Sequence, residues 1–356
     1  MKCKLSDICD FRKGKVEVEN LNTKNYISTE NMLPNKSGIT EATSLPNVSS
    51  TQEYKNGDVL VSNIRPYFKK IWQARYDGGC SNDVLVFVPK STTDRDFLYY
   101  LLADDDFFTY SMATSKGTKM PRGDKTSIMQ YEVPMLDFCT QKKIASVLKS
   151  LDEKIELNNA INENLEQQAQ AIYCDMFITN ANPSWQLGRL SDLIAVRYGK
   201  NHKKLADGIY PVYGSGGIMR YAEKPLYDKE SVLIPRKGTL NNVMYVNKPF
   251  WSVDTMFFTE MKLPNVAKFV FHFVKSKDLA SLNAGSAVPS MTTDILNAME
   301  LSIPDANTLY KFENIVAPMY QAMQQNTQQS SKLAELRDSL LPRLMSGEID
   351  VTDIQI

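Results

Sequence analysis

The chain has 356 residues, 43% of them apolar, enough for two or three domains with cores of their own and too apolar for a disordered polymer. Its 41 basic and 41 acidic side chains cancel, which excludes a protein that coats nucleic acid through bulk positive charge. The cysteines, Cys3, Cys9, Cys80, Cys139 and Cys174, form no CxxC pair and read as free thiols of a reducing compartment, and no run of about 18 apolar residues occurs, so the expected location is the cytoplasm with no membrane contact.

Residues 4 to 15, KLSDICDFRKGK, return at 189 to 200 as RLSDLIAVRYGK, an offset of 185 that marks an internal duplication. Leu-Ser-Asp suits the first turn of a short helix capped by Ser6 or Ser191, with Gly14 and Gly199 in the turn that follows. Apolar runs broken by Asn-Gly, Asp-Gly-Gly and Pro predict strands over 54–90 and again over 208–262. Ser81 and Asp83 precede one strand as Ser252 and Asp254 precede the other, and helices are expected at Phe97–Leu102 and Phe269–Val274. Gly-rich loops around Gly117 and Gly285 come next, each followed by a strand ending at Pro134 or Pro304.

Between and after these segments the pattern changes period. Ile144, Leu148, Leu151, Ile155, Asn158, Asn162, Leu165, Ala169, Ile172 and Met176 fall at alternating steps of four and three, the repeat of a coiled-coil seam. With an offset of 168, a second seam is read in Ile315, Met319, Ala322, Asn326, Gln329, Leu333, Leu336 and Leu340. Both stripes carry amides near the middle, so an antiparallel pair would set Asn158 and Asn162 opposite Asn326 and Gln329 and fix the register. Thr140 is the expected N-cap of the first helix and Asn307 or Thr308 that of the second, with Asn182-Pro183 closing the first, Pro318 kinking the second and Pro342 ending its regular part. The expected fold is mixed α/β (α+β): two similar globular domains separated by two long antiparallel helices that form a coiled coil, a pseudo-twofold internal repeat. The segments are 1–138 (first domain), 139–178 (first helix), 179–306 (second domain) and 307–356 (second helix and tail). Their net charges are zero, −2, +4 and −2.

Motifs for catalysis are missing. The chain has no Pro-Pro dipeptide for an amino-methyltransferase motif and no GxxxxGK[ST] loop, and its two histidines, His202 and His272, cannot furnish a metal cluster. Gly214-Ser215-Gly216-Gly217 reads as a hairpin turn rather than a phosphate cradle. Asp254, Glu260 and Lys262 suggest a nuclease-like E-x-K pattern, but the first half lacks the carboxylate, and a solvated strand end is the expected reading. No catalytic residue and no metal site is assigned.

The residues carry a resemblance. ENIVAPMYQAMQQNTQQSSKLAELRDSLLPRLMSGEIDV at the end of the chain resembles the second conserved helix of the DNA specificity (S) subunits of type I restriction-modification enzymes. GDVLVSNIRPYFKKI with CSNDVLVFV, and GIYPVYGSGGIMRY with SVLIPRKGT, resemble their target recognition domains, so the likeness spans essentially the whole chain. It implies a non-catalytic subunit that reads a bipartite double-stranded DNA target with an unread spacer and directs methylation, within a site-specific deoxyribonuclease and adenine-specific methyltransferase complex of phage defence. It further implies two methyltransferase (M) subunits as partners, restriction (R) subunits for cleavage, and S-adenosylmethionine, ATP and Mg as cofactors of those subunits rather than of this chain. The competing reading is a tandem-domain protein-binding adaptor without DNA specificity.

Under that resemblance the DNA-binding candidates are Lys13, Lys15, Arg65, Lys69, Lys70, Arg75, Lys116, Lys119, Arg122 and Lys125 in the first half. In the second they are Arg197, Tyr198, Lys200, His202, Lys203, Lys204, Arg220, Arg236, Lys237, Asn241 and Asn242. The charged Gly117 loop and the neutral Asn283, Ser286 and Ser290 of the Gly285 loop imply that the two domains read different sequences. Glu153, Glu156, Glu163, Glu166, Glu335 and Arg337, on outward helix positions, are the candidates for M-subunit binding. A helix of about 40 residues would run roughly 58 Å, which would place the half-sites one to two DNA turns apart.

Overall fold

The structure, a computed structural model, describes residues 2–282 and 290–354; Asn283, Gly285 and Ser286 lie outside them. The chain forms two compact units, residues 1–158 with 327–356 and residues 159–326. Among the described residues no helix is long and apolar enough to cross a membrane.

The duplication is visible in strand order. In the first unit one antiparallel sheet runs Cys9–Phe11, Val84–Pro89, Val59–Ser62, Ile71–Gln73, and a second runs Lys15–Glu17, Ser50–Tyr54, Gly78–Cys80, Tyr26–Ile27 with its last pair parallel. The second unit repeats the first sheet as Ile194–Tyr198, Met256–Met261, Ser231–Pro235, Met244–Val246, beside a three-stranded sheet that also ends on a parallel pair. A two-stranded ribbon closes each unit, Lys2–Lys4 with Glu132–Pro134 and Gln186–Arg189 with Glu300–Ile303. Helices Arg95–Ala103 and Ala267–Lys275 stand at the same place in both.

The short helices Leu5–Ile8 and Leu190–Leu193 occur where Leu-Ser-Asp predicts them, but neither Ser6 nor Ser191 caps them. Asp7 accepts from the Lys4 N–H at 2.8 Å and Asp192 from the Arg189 N–H at 2.7 Å, because a carboxylate at the third helical position reaches back over the first turn. The long helices, Phe138–Cys174 and Ala306–Met345, need the same correction. Asp137 Oδ1 accepts from the N–H groups of Cys139 and Thr140, both at 3.0 Å, and Asp305 Oδ1 from the Thr308 N–H at 3.0 Å. Thr140 and Thr308 lie one turn inside and donate their hydroxyls back to those carboxylates, so the aspartates are the caps, favoured also by the helix dipole. The first helix leaves through a π-helical turn, Asp175–Thr179, before reaching Asn182-Pro183. Helical assignment continues through Pro318 and past Pro342 to Met345; Asn314 and Pro318 are both exposed, so the carbonyl that lacks a donor faces water.

Each unit builds its larger core on parts of both long helices. In the first, Ile144, Ala145 and Leu148 meet Leu341, Leu344 and Met345 against Phe97, Leu101 and Val133. In the second, Ala169, Tyr173 and Phe177 meet Leu309, Phe312, Val316 and Tyr320 against Phe269, Val270 and Phe273. The helices run antiparallel within each unit. Asp152 and Asn158 meet Arg337 and Gln329 in one, and Asn162 meets Asn326 in the other. Asn158 Nδ2 donates to Gln329 Oε1 at 2.9 Å, and Asn326 Nδ2 donates to Asn162 Oδ1 at 2.9 Å.

The second stripe differs from the expected one at alternate positions. Ile315 and Leu336 are 47% and 45% exposed, whereas Val316, Met323, Ser330 and Arg337 are buried or half-buried. The offset of 168 applied strictly to Leu148, Ile155, Asn162 and Ala169 gives those four residues, each one place beyond the expected Ile315, Ala322, Gln329 and Leu336.

Two polar keys join the domain helices to the long helices. Tyr100 donates to Asp152 Oδ2 at 2.7 Å, and Arg337 donates to Asp152 Oδ1 at 2.6 Å. At the corresponding place in the second unit, fully buried His272 contacts Gln170 Oε1 through Nδ1 at 2.7 Å and the Tyr320 hydroxyl through Nε2 at 2.9 Å. A neutral ring that donates from Nδ1 and accepts at Nε2 satisfies both partners. Desolvation, with the nearby Lys275 charge, pushes the His272 pKa down to about 4.

Two predictions follow from this packing. Between pH 6.5 and 4 the unfolded chain takes up a proton at His272 that the folded chain does not, so stability should fall as pH drops through this window, by about 3 kcal/mol from this residue, and flatten below it. Urea melts of wild type and His272→Gln across that range check it, the variant showing a shallower acid limb. Cysteines replacing Asn162 and Asn326 should cross-link under mild oxidation, while Asn162→Cys with Met319→Cys, displaced along the second helix, should not.

Candidate nucleic-acid interface

Sheet register decides which loops meet. In the first unit Phe11 pairs with Phe87, Ser62 with Val84 and Val61 with Ile71, so the segments 12–15, 63–70 and 81–83 leave from the same end of the sheet. The Gly117 loop joins them: the Arg65 N–H donates to the Pro121 carbonyl at 2.8 Å and the Gly123 N–H to the Asn63 carbonyl at 3.1 Å. In the second unit Tyr198 pairs with Phe257, Pro235 with Met256 and Leu233 with Met244, bringing 199–206, 236–243 and 252–255 to the equivalent end.

Ion pairing sorts the cations. Eight of the eleven arginines, Arg12, Arg75, Arg95, Arg122, Arg197, Arg220, Arg337 and Arg343, pair with a carboxylate of the chain. Among the described residues Arg65, Arg189 and Arg236 have no such pair, and two of these three lie in the loop ends. Arg236 follows the wholly buried strand Ser231–Pro235, and its backbone is held on both sides, the N–H donating to Thr255 O and the carbonyl accepting from the Met291 N–H, each at 2.9 Å. Its guanidinium lies over the half-exposed Tyr198 ring at 5.2 Å and donates to the Asp254 carbonyl at 3.3 Å. Asn63 makes the matching backbone bonds in the first unit, to Asp83 O and from the Gly123 N–H, so Asn63 and Arg236 share a station that sequence alignment did not bring together. The strand pairings were the missing signal.

The other candidates divide plainly. Lys13, Lys15, Lys119, Lys200, Lys203 and Lys204 are exposed and carry no ion pair among the described residues. His202 is half-buried there, its Nδ1 lacking a hydrogen-bond partner among the described residues; Lys237 bridges to Ser290, and Lys125 lies 5.8 Å from the Phe11 ring. Lys116 pairs with Asp124 and Arg122 with Asp83 at 3.2 Å, bracing the Gly117 loop beside a polar recess of about 360 Å³ that Glu30, Asn31, Thr43 and Asp83 help to line. Lys69 binds Asp105 at 2.7 Å and Lys70 the Thr29 carbonyl at 2.6 Å. Arg75 lies at the opposite end of its sheet, paired with Glu156 of the long helix. Arg197 binds Glu260 at 2.9 Å, Arg220 binds Asp207 at 2.9 Å, Asn241 binds Asp278 at 3.0 Å and Asn242 the Ser215 carbonyl at 2.7 Å. Those four serve the fold.

The tempting catalytic patterns separate in the same way. Glu260 is held by Arg197, and Lys262 donates to the Ser191 carbonyl at 2.6 Å. Gly214 pairs with Gly217 across a two-residue hairpin turn, where Gly217 takes a φ of +110° that a side chain would resist. Of the helix candidates, Glu153, Glu163 and Glu335 are exposed; Glu156 and Glu166 pair with Arg75 and Lys275, and Arg337 is drawn inward onto Asp152.

The architecture is thus a duplicated domain with surplus cations at one loop end of each copy. The profile of the type I restriction modification DNA specificity domain matches residues 1–167 and 182–330. The chain belongs to that family. It is 24% identical over 311 residues to the MjaIX specificity subunit of Methanocaldococcus jannaschii, covering 75% of this chain and 72% of that one. It is 22% identical over 448 aligned positions to the HindI specificity subunit of Haemophilus influenzae, covering 91% and 94%. The crystal structure of an S subunit from M. genitalium shares the fold, with a TM-score of 0.58 at 18% identity over 97% of this chain and 96% of that one.

Replacing Arg236 by Ala should weaken specific DNA binding by about 1–3 kcal/mol, whereas Arg197→Ala should leave it within about threefold and lower the melting temperature instead. Fluorescence anisotropy at fixed salt, beside thermal melts of both variants, checks the contrast.

Proposed function

We propose that this chain is the DNA-reading subunit of a type I restriction-modification complex, recognising two short half-sites of duplex DNA separated by an unread spacer. The reading rests above all on one observation: both units repeat the order of one four-stranded sheet, and each gathers loops with unpaired cations at the same end of it. Cations without carboxylate partners are available to phosphates, and side chains anchored at strand ends are available to base edges. The two loop sets differ in residue type, with Asn63 standing where the second unit has Arg236, so the half-sites differ in sequence. Methyl transfer belongs to M subunits, two of them on this reading, that bind S-adenosylmethionine, and cleavage to R subunits that use ATP and Mg. The chain itself is non-catalytic. Glu153, Glu163 and Glu335 are the helix positions left open for an M subunit.

Single-molecule methylome sequencing of the source cell with and without the gene tests this. Loss of methylation at one split motif is the expected result, and an unchanged methylome together with failure to co-purify a methyltransferase would overturn it. One heptad added to both long helices should change the spacer and leave the half-sites unaltered; recovery of the original spacer would show that helix length does not set it.

A further inference from the structure

Among the described residues five that are not glycine adopt a positive φ, and four of them stand together: Asn35 at +55°, Lys36 at +60°, Arg65 at +51° and Lys69 at +50°. Side chains resist this conformation, so the cluster persists only because its surroundings over-determine it. Two loops are stapled backbone to backbone, the Asn35 N–H donating to Phe68 O at 2.8 Å and the Lys36 N–H to Lys69 O at 2.9 Å. Asp105 closes the staple from below, binding Lys36 at 2.8 Å and Lys69 at 2.7 Å. Between the two strained residues Arg65 and Lys69 lies the 3-10 turn Pro66–Phe68, its φ preset by proline.

What this braced turn displays is a pair of aromatic rings. Tyr67 and Phe68 are 49% and 38% exposed, their centroids 4.7 Å apart. Beside them Arg65 is one of the arginines with no carboxylate, and its Nε is buried without a hydrogen-bond partner among the described residues. Arg65 is also strapped to the Gly117 loop, so the tip is continuous with the cation-bearing loop end. Two flat apolar faces on a rigid backbone, flanked by an unneutralised guanidinium, match the chemistry of side chains that stack on or wedge between bases. At the matching exit of the second unit, Arg236-Lys237-Gly238 offers no aromatic.

We propose that Tyr67 and Phe68 form a wedge that unstacks a base step in the DNA half-site read by the first domain, so that this half-site is recognised partly through its deformability. The inference rests on the DNA-reading role given above. Arg65 would anchor the adjoining phosphate, and the wedge would favour flexible pyrimidine–purine steps in that half-site alone.

The test uses the full chain with its M subunits and duplexes carrying the methylome-defined motif, with 2-aminopurine scanned through both half-sites. Wild type should raise the fluorescence several-fold at one step of one half-site, away from the methylated base. Tyr67→Ala/Phe68→Ala should abolish that rise and weaken specific binding about tenfold or more, while the melting temperature and the fluorescence change at the methylated base persist. Tyr67→Phe should retain the signal, because stacking needs the ring and not the hydroxyl. No rise at any scanned step, or equal binding by the double variant, overturns the wedge. Loss of M-subunit co-purification without DNA by the double variant also overturns it, identifying the rings as a protein-docking tip. A wild-type complex that binds no split motif would instead count against the DNA-reading role itself.

Discussion

The larger core of each domain is closed by the long helices. In the first unit the seat is made by Ile144 and Leu148 of one helix and Leu341 and Leu344 of the other, and in the second by Ala169 and Tyr173 with Phe312 and Val316. Apolar side chains contributed from both helices leave each domain committed to the pair, and the antiparallel pairing follows from which halves are near. Burial is non-directional, so register within the stripe needs another agent. The amides supply it: Asn158 bonds Gln329 and Asn326 bonds Asn162, and a slip by one turn would break both pairs.

The keys that lock the domain helices onto this pair show how a duplicated scaffold becomes asymmetric. Tyr100 reaches Asp152, which Arg337 holds, whereas His272 reaches the amide of Gln170 and the hydroxyl of Tyr320. In the second unit a nearly buried lysine, Lys268, sits close by and binds Glu313 at 2.6 Å and Glu230 at 3.0 Å between the rings of Tyr245 and Tyr320. A buried cation needs such company to remain charged. The same station therefore holds different chemistry in the two halves, and neither domain helix presents the groups that the other's seat requires.

Charge follows a similar division of labour. With net charge zero, eight of the eleven arginines are spent on carboxylates of the chain, and those left without one are few. Arg65 and Arg236 come to the loop ends because strands of fixed register deliver their exits together. A list of basic residues overstates how many cations are free: Arg75, Arg197 and Arg220 look like Arg65 and Arg236 in sequence, but each has a carboxylate within reach.

By itself the sequence determined the duplication, the long helices with their amide-bearing stripes and the strand stations, because periodicity, turn residues and internal repeats are local signals that survive without coordinates. It carried the family resemblance for the same reason. Its errors were also local. Thr140, and Asn307 or Thr308, suit a cap by residue type, yet Asp137 and Asp305 accept the free N–H groups; Ile315 and Leu336 suit the seam by hydropathy, yet Val316 and Arg337 are the less exposed. Only the tertiary structure decided which cations are free, that Asn63 and Arg236 occupy one station, and that Asn35, Lys36, Arg65 and Lys69 hold a strained turn under Tyr67 and Phe68. Each depends on partners distant in sequence, such as Asp105 for Lys36 and Lys69 or Pro121 for Arg65. Side-chain availability is a property of what folding brings alongside, and residue type alone does not encode it.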